Sequence, residues 1–301
     1  MKRSYWLTGL ALMALATAAP AQAQQRDQVR LGWLKSLTDS AIYIAIKKGY
    51  FTDENIEIVS TQFRSGANMV VPLGTGELDV GAGSPSAGLY NAVARGVKII
   101  IAADKTRSSP GYGGSHLVVR KDLVDSGRYK SLKDLKGMKL ASSGPGNSAM
   151  ATFYYALKSV GLQMSDISTV NLSYPTHVTA LSNKAVDGSF ILEPFVSAAV
   201  AKGVAVRVDS DDRIDPNHQL ATILFSGKFA AKREIAVRFL RAYLRGIDFY
   251  LGALKDGKLA GKNAEEVIAI LIENTAVKDP KVLRSITPSG VDPNGTVNQA
   301  S

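Results

Sequence analysis

Residues Leu31–Phe51 read LGWLKSLTDSAIYIAIKKGYF. A short apolar strand, Val29–Trp33, runs into a polar turn, and an amphipathic helix follows and closes at Gly49. Thr38 or Asp39 suits the N-cap of that helix, and Gly49 suits the left-handed position past its end. Strand–turn–helix units place ligands in one spot: the crevice at the carboxyl ends of the strands, beside the helix N-termini.

Outward from this unit the pattern repeats. Ile56–Thr61 reads as a second strand, and Ser65 caps a helix over Gly66–Leu73. Asp79–Ala82 is a third strand. Ser84-Pro85 opens a helix that runs to Arg95 and stops at Gly96, because proline is favoured in a first helical turn. Val97–Ala102 is a fourth strand. The segment RSSPGYGGS (Arg107–Ser115) then breaks the alternation, as a crossing between two lobes would. His116–Arg120 reads as a strand and Ser131–Gly137 as a short helix. A second set begins with a strand at Met138–Ala141, a glycine-rich turn SSGPGNS (Ser142–Ser148) and a helix at Ala149–Val160. Strands at Val170–Ser173 and Gly188–Leu192 follow, with a helix after His177 and another opened by Glu193-Pro194. SPSAGLYNAVARGV (Ser84–Val97) and EPFVSAAVAKGV (Glu193–Val204) share one layout, a weak pseudo-repeat between similar lobes. Asp209–His218 is polar and acidic, a second crossing, and Thr222–Phe225 is the returning strand. Glu234–Leu254 carries apolar residues at helical spacing, from Ala236 to Leu251, and is a core helix. The reading is α/β: two lobes, 27–113 with 219–301, and 114–218, hinged around a cleft.

The N-terminus predicts export. Lys2 and Arg3 precede an apolar run, Leu7–Ala19, that is too short to span a bilayer. Ala21-Gln22-Ala23 supplies a cleavage site, so Met1–Ala23 reads as a Sec-type signal peptide. The chain has 301 residues and no cysteine, which removes disulfides, thiolate metal sites, cysteine nucleophiles and lipoprotein-type anchoring. Its formal charge is +10, yet lysine and arginine are scattered, with no basic–aromatic stripe for nucleic acid. A mild positive field that attracts anionic solutes fits better. His116, His177 and His218 share no metal-like spacing, so neither a metal nor another cofactor is expected.

LGWLKSLTDSAIYIAIKKGYF, GELDVGAGSPSAGLYNAVARGVKI (Gly76–Ile99) and SLKDLKGMKLASSGPGNS (Ser131–Ser148) together resemble the solute-binding proteins of ABC importers, in the branch serving sulfonates, taurine, nitrate and thiamine-precursor pyrimidines. The resemblance covers nearly all of Val29–Ser301. It implies a type II periplasmic binding protein clamshell: two Rossmann-like lobes joined by a hinge of two strands. It also implies a small-molecule ligand, a periplasmic location, and delivery to an inner-membrane ABC permease with a cytoplasmic ATPase. A monomer is expected. Relatives continue past a segment like VDPNGTVNQAS (Val291–Ser301), so the native chain is expected to extend beyond Ser301.

The candidate ligand residues lie in the predicted strand-end loops. In the first lobe they are Trp33, which can stack on a ligand or simply pack; Ser36, Thr38 and Asp39, of which one is a cap; Gly66 and Asn68; and Ser84 and Ser86. Asp39 suits a ligand amine and repels a pure anion. Tyr112 and Ser115 lie at the first crossing. The best second-lobe candidate is the Ser142–Ser148 turn, with Ser143, Gly144, Asn147 and Ser148. It lacks the Lys-Ser/Thr ending of a nucleotide-binding loop, and no G-x-G-x-x-G is present. His177 sits near a helix start, and Glu193 either accepts from a ligand or satisfies local backbone. Lys35, Arg64, Lys105 and Arg107 fall near the rim, and Arg238, Arg241 and Arg245 form a basic helix face. No G-x-S-x-G or catalytic carboxylate spacing appears. Enzymes that make the thiamine pyrimidine resemble this family, but carry a cysteine-rich motif absent here. A transcription-factor effector domain would need a helix-turn-helix where the signal peptide stands. The expectation is therefore a non-enzymatic receptor for a small organic anion, sulfonate or carboxylate; a pyrimidine stays open because Trp33, Tyr43, Tyr90 and Tyr112 can build a stacking wall.

Overall fold

The computed structural model describes residues 25–216 and 218–299; Met1–Ala23, expected to be a signal peptide, lies outside them. Ten strands form two five-stranded mixed sheets. They are β1 (Asp27–Trp33), β2 (Ile56–Gln62), β3 (Val80–Gly83), β4 (Ile99–Arg107), β5 (Ser115–Arg120), β6 (Lys139–Ser142), β7 (Ser168–Asn171), β8 (Gly188–Leu192), β9 (Ala205–Ser210) and β10 (Gln219–Ser226).

The first sheet has the order β2-β1-β3-β10-β4, the second β7-β6-β8-β5-β9. In each, four strands run the same way and one is antiparallel to both its neighbours: β10 in the first, β5 in the second. These two are the strands that follow the crossings. The chain leaves β4 at Arg107 and enters the other sheet as β5 at Ser115; it leaves β9 at Ser210, makes one helical turn at Asp211–Ile214, and re-enters the first sheet as β10 at Gln219. The two halves of the pseudo-repeat occupy equivalent places, since Ala87–Ala94 links β3 to β4 and Phe195–Ala201 links β8 to β9.

Helices cover both sheets: α1 (Ser40–Lys47), α2 (Ala87–Ala94), α3 (Ser148–Lys158), α4 (Tyr174–Ser182), α5 (Phe195–Ala201) and α6 (Arg233–Leu251). The apolar stripe of α6 buries Ala236, Phe239, Tyr243, Ile247 and Tyr250 in the first core, together with Val29, Leu31 and Ile42–Ala45. Its basic face is not free. Arg238 pairs with Asp27 at 2.6 Å, Arg241 with Glu54 at 3.0 Å, and Arg245 with Asp53 at 2.9 Å.

Three local expectations are corrected. The Gly66–Leu73 helix begins as a 3-10 turn, Gly66–Met69, and becomes α-helical only over Val70–Thr75. Ser131–Gly137 is a 3-10 turn at Leu132–Leu135, held by a reciprocal Ser131–Asp134 capping box. The helix expected after His177 starts three residues earlier, at Tyr174, because Pro175 falls in its first turn and needs no backbone donor there.

Candidate functional site

The strand ends of the two sheets face each other, and the lobes touch there. Ser86 and Asn147 form an antiparallel bridge, the Ala87 amide donates to the Gly146 carbonyl at 2.8 Å, and Ser148 Oγ donates to Ser84 Oγ at 3.3 Å. On one side of this contact lie two small adjoining cavities of about 10 and 20 Å³, together the inner chamber, which takes a solute only when the lobes move apart. Its first part is walled by Leu34, Ser65, Gly66, Ala67 and Ser84 from the first lobe and by Ser143, Gly144, Asn147 and Tyr174 from the second. Its second part shares Leu34, Ser84 and Tyr174 and adds, among others, Thr38, Thr106, Ser115, Ser148, Phe190 and Leu192. On the other side lies an outer groove of about 600 Å³, with Tyr90, Tyr155, Thr222 and Val297–Gln299 among its walls.

The first-lobe wall is built on a buried ion pair. Asp39 and Lys105 meet at 2.6 Å, with side chains 0% and 1% exposed. Lys105 Nζ also donates to Thr38 Oγ1 at 3.1 Å and to the Ala82 carbonyl at 3.2 Å. Its three donors are thereby used. Asp39 in turn accepts from the Ser36 amide at 3.0 Å, and Ser36 Oγ bonds Thr38 Oγ1 at 2.8 Å. The Ser65–Gly66 turn reaches Ser84 only because two glycines meet: a Cβ on Gly66 would stand 2.7 Å from the Ser84 backbone, and one on Gly83 would stand 2.6 Å from Gly66 Cα.

The second-lobe wall is a chain of neutral donors. Asn147 Nδ2 donates to Ser143 Oγ at 2.6 Å, and Ser143 Oγ donates to Tyr174 Oη at 3.0 Å. Asn147 Oδ1 caps α3 by accepting from the Met150 amide. Burial pushes the Tyr174 phenol up from its ordinary value, with the Ser143 hydrogen bond acting the other way, so the ring stays protonated with an O–H to give. Among the residues lining the chamber none carries a charge. Thr106 Oγ1 is buried there with no hydrogen-bond partner, a donor whose burial is costly until something accepts from it.

Of the residues singled out from sequence, the structure brings Thr38, Gly66, Ser84, Ser115, Ser143, Gly144, Asn147 and Ser148 to the chamber, with Ser86 at the contact between lobes. Others go elsewhere. Asp39 is consumed by Lys105, so it is not a free carboxylate for a ligand amine. Ser36 serves the same buried turn. Trp33 packs edge-on against Tyr43, with ring centroids 5.2 Å apart. Asn68 is exposed and accepts from Ser65, and Tyr112 stays on the crossing. His177 is fully buried one turn inside α4; Nδ1 meets Ser189 Oγ at 2.6 Å and Nε2 meets the Leu172 carbonyl at 3.0 Å. Burial holds its pKa down at about 4. Glu193 pairs with Arg207 at 2.9 Å and accepts from the Ser197 amide and hydroxyl, anchoring α5.

Sequence reasoning placed Leu34 within the candidate loop Trp33–Ser40 without singling it out, and missed Thr106, Tyr174, Phe190 and Leu192. Tyr174 was signalled by its place directly before Pro175. Leu34 was signalled by strand alternation, which turns it away from Trp33. Among the described residues no cluster of His, Asp and Glu suits a metal ion, and no helix is long and apolar enough to cross a membrane.

The comparisons agree with this architecture. A putative aliphatic sulfonates-binding protein of Escherichia coli is 22% identical over 275 residues, covering 90% of this chain and 79% of that protein. A putative thiamine biosynthesis protein of Haemophilus influenzae is 29% identical over 185 residues, which is 60% of this chain but only 54% of that relative's length. Among solved structures, an alkanesulfonate-binding protein from Xanthomonas axonopodis pv. citri, bound to MOPS, superposes with a TM-score of 0.71 at 19% identity, covering 90% of this chain and 88% of that one. The periplasmic nitrate-binding protein of Synechocystis does so with a TM-score of 0.70 at 15% identity, over 89% and 74%. These likenesses show the fold, a periplasmic-binding-protein clamshell. The family model described as NMT1-like matches residues 22–268, and the chain therefore belongs to the NMT1-like family.

Proposed function

We propose that this chain is the periplasmic solute-binding component of an ABC-type importer. It captures a small organic anion, sulfonate or carboxylate, and hands it to a membrane permease. One observation carries the reading: hydroxyl and amide groups of both lobes converge on a chamber whose lining residues carry no charge. Sulfonate and carboxylate oxygens accept several hydrogen bonds each. Ser84, Thr38 and Thr106 offer them from one lobe, Ser143, Ser148 and Tyr174 from the other. The N-termini of α2 and α3, capped by Ser86 and Asn147, add positive potential at the same junction. A ligand that touches both lobes favours the closed arrangement over an open one, a population shift for a permease to read. The named ligands of the relatives, sulfonates and nitrate, are likewise oxyanions.

A second reading is a pyrimidine ligand. It is favoured by the ring stack of Tyr174 on Phe195, 6.4 Å between centroids and 12° between planes, beside the apolar wall of Leu34, Phe190 and Leu192.

A thermal-shift panel separates the two. It holds alkyl sulfonates, taurine, nitrate, aromatic carboxylates and aminopyrimidines. Binding raises the melting temperature by linkage. A rise with one anion class and no turnover is expected; a rise with aminopyrimidines alone selects the second reading, and chemical conversion of any compound overturns both.

A further inference from the structure

The contact that divides chamber from groove is made of backbone and small residues. Ser86 and Asn147 pair as a single antiparallel bridge, and the Ala87 amide reaches the Gly146 carbonyl at 2.8 Å. The side chains of the bridged residues are turned to other tasks: Ser86 Oγ accepts from the Leu89 amide and Asn147 Oδ1 from the Met150 amide. Neither helix cap has to break for the bridge to form. Gly146 and Ala87 stand exposed at the rim, outside the chamber lining.

The approach is too close for larger residues. Gly146 has φ +57°, a left-handed conformation that side chains disfavour, and a Cβ there would stand 2.6 Å from the Ala87 Cβ. Glycine is therefore required twice, once by its own backbone and once by its neighbour across the lobes.

We propose that Ala87 and Gly146 form a ligand-independent latch. The two lobes hydrogen-bond to each other, backbone to backbone, whatever fills the chamber. The closed arrangement then has protein–protein stabilisation of its own, and a ligand shifts an equilibrium in which that arrangement is already populated. Gly146 and Ala87 are positioning residues: they touch no ligand, and they set how far the lobes approach.

Small-angle scattering from the protein without added ligand tests the latch and does not depend on which solute is bound. The wild type is compared with Ala87→Leu and Gly146→Ala. Ala87 is the first, exposed residue of α2, where leucine suits helical backbone, so this variant is expected to fold; circular dichroism and thermal melting check it. The expected result is a wild-type radius of gyration above that of the closed structure, because open molecules remain for a ligand to recruit, and a still larger one for both variants. A wild type that scatters as an open molecule overturns the latch. So does an Ala87→Leu variant that is folded and as compact as the wild type.

Discussion

The two walls of the chamber solve the same problem by different chemistry. The first lobe backs its wall with full charges that cancel: Asp39 and Lys105 lie beneath Thr38, paired at 2.6 Å and sealed from water. The second lobe uses neutral groups throughout, the Asn147–Ser143–Tyr174 chain with the buried His177 behind it. The first wall is set once the chain has folded, because breaking a buried ion pair strands a charge. The second is a row of rotors whose protons can turn toward a ligand. The contrast assigns rigidity to the first lobe and adaptability to the second.

The harshest way to break this contrast is Lys105→Met. It leaves Asp39 buried without its cation, and urea unfolding should show a loss of about 3–5 kcal/mol. Adding Asp39→Asn should return much of that loss, because the stranded charge is gone. Gly66→Ala comes next. Its Cβ would meet the Ser84 backbone at 2.7 Å, a contact between two main chains that cannot swing aside. A loss of about 1–3 kcal/mol is expected in the same assay.

A pH effect should then report on the buried histidines of the second lobe. The pKa values of His177 and His116 are held down at about 4, His177 chiefly by burial and His116 by burial with Arg207 nearby. Both stay neutral in the native state, while the unfolded chain takes up protons near the ordinary value of 6.5. Their contribution is complete above about pH 6.5 and is lost as pH falls toward 4. Unfolding titrations across that window should lose part of this slope in His177→Gln. Tyr174→Phe is the gentlest change. It removes only the hydroxyl that accepts from Ser143, so stability should shift by no more than about 1 kcal/mol. Ligand affinity should nevertheless fall roughly tenfold, one charge-assisted hydrogen bond's worth.

The strands and crossings were legible because their signals are local: apolar runs bounded by glycine, and a Gly/Ser/Pro segment at 107–115; the helix read as opening at Ser84-Pro85 starts instead at Ala87, with Ser86 as its cap. Even the pseudo-repeat found its structural counterpart, in the helices after β3 and β8. What was hidden depends on partners far apart in the chain. Nothing near Asp39 announces Lys105, 66 residues on, so a charge offered to a ligand amine turned out to be cancelled. His177 drew notice as a lone histidine at a helix start, yet the start lies at Tyr174, and the one-turn shift sends the imidazole inward and the phenol to the chamber. Leu34, Phe190 and Leu192 look like ordinary core residues, and only the juxtaposition of two sheets makes them a wall of the chamber.

Calorimetric titration of one anion, the sulfonate or carboxylate that gives the largest thermal shift, into the wild type, Ser84→Ala and Ser143→Ala tests the central claim most directly. The account predicts one site per chain, with affinity reduced by each substitution, one in each lobe, while the ligand-free protein stays folded and loses no more than about 1 kcal/mol. Anion binding that neither substitution weakens would place the ligand outside the chamber and contradict the account.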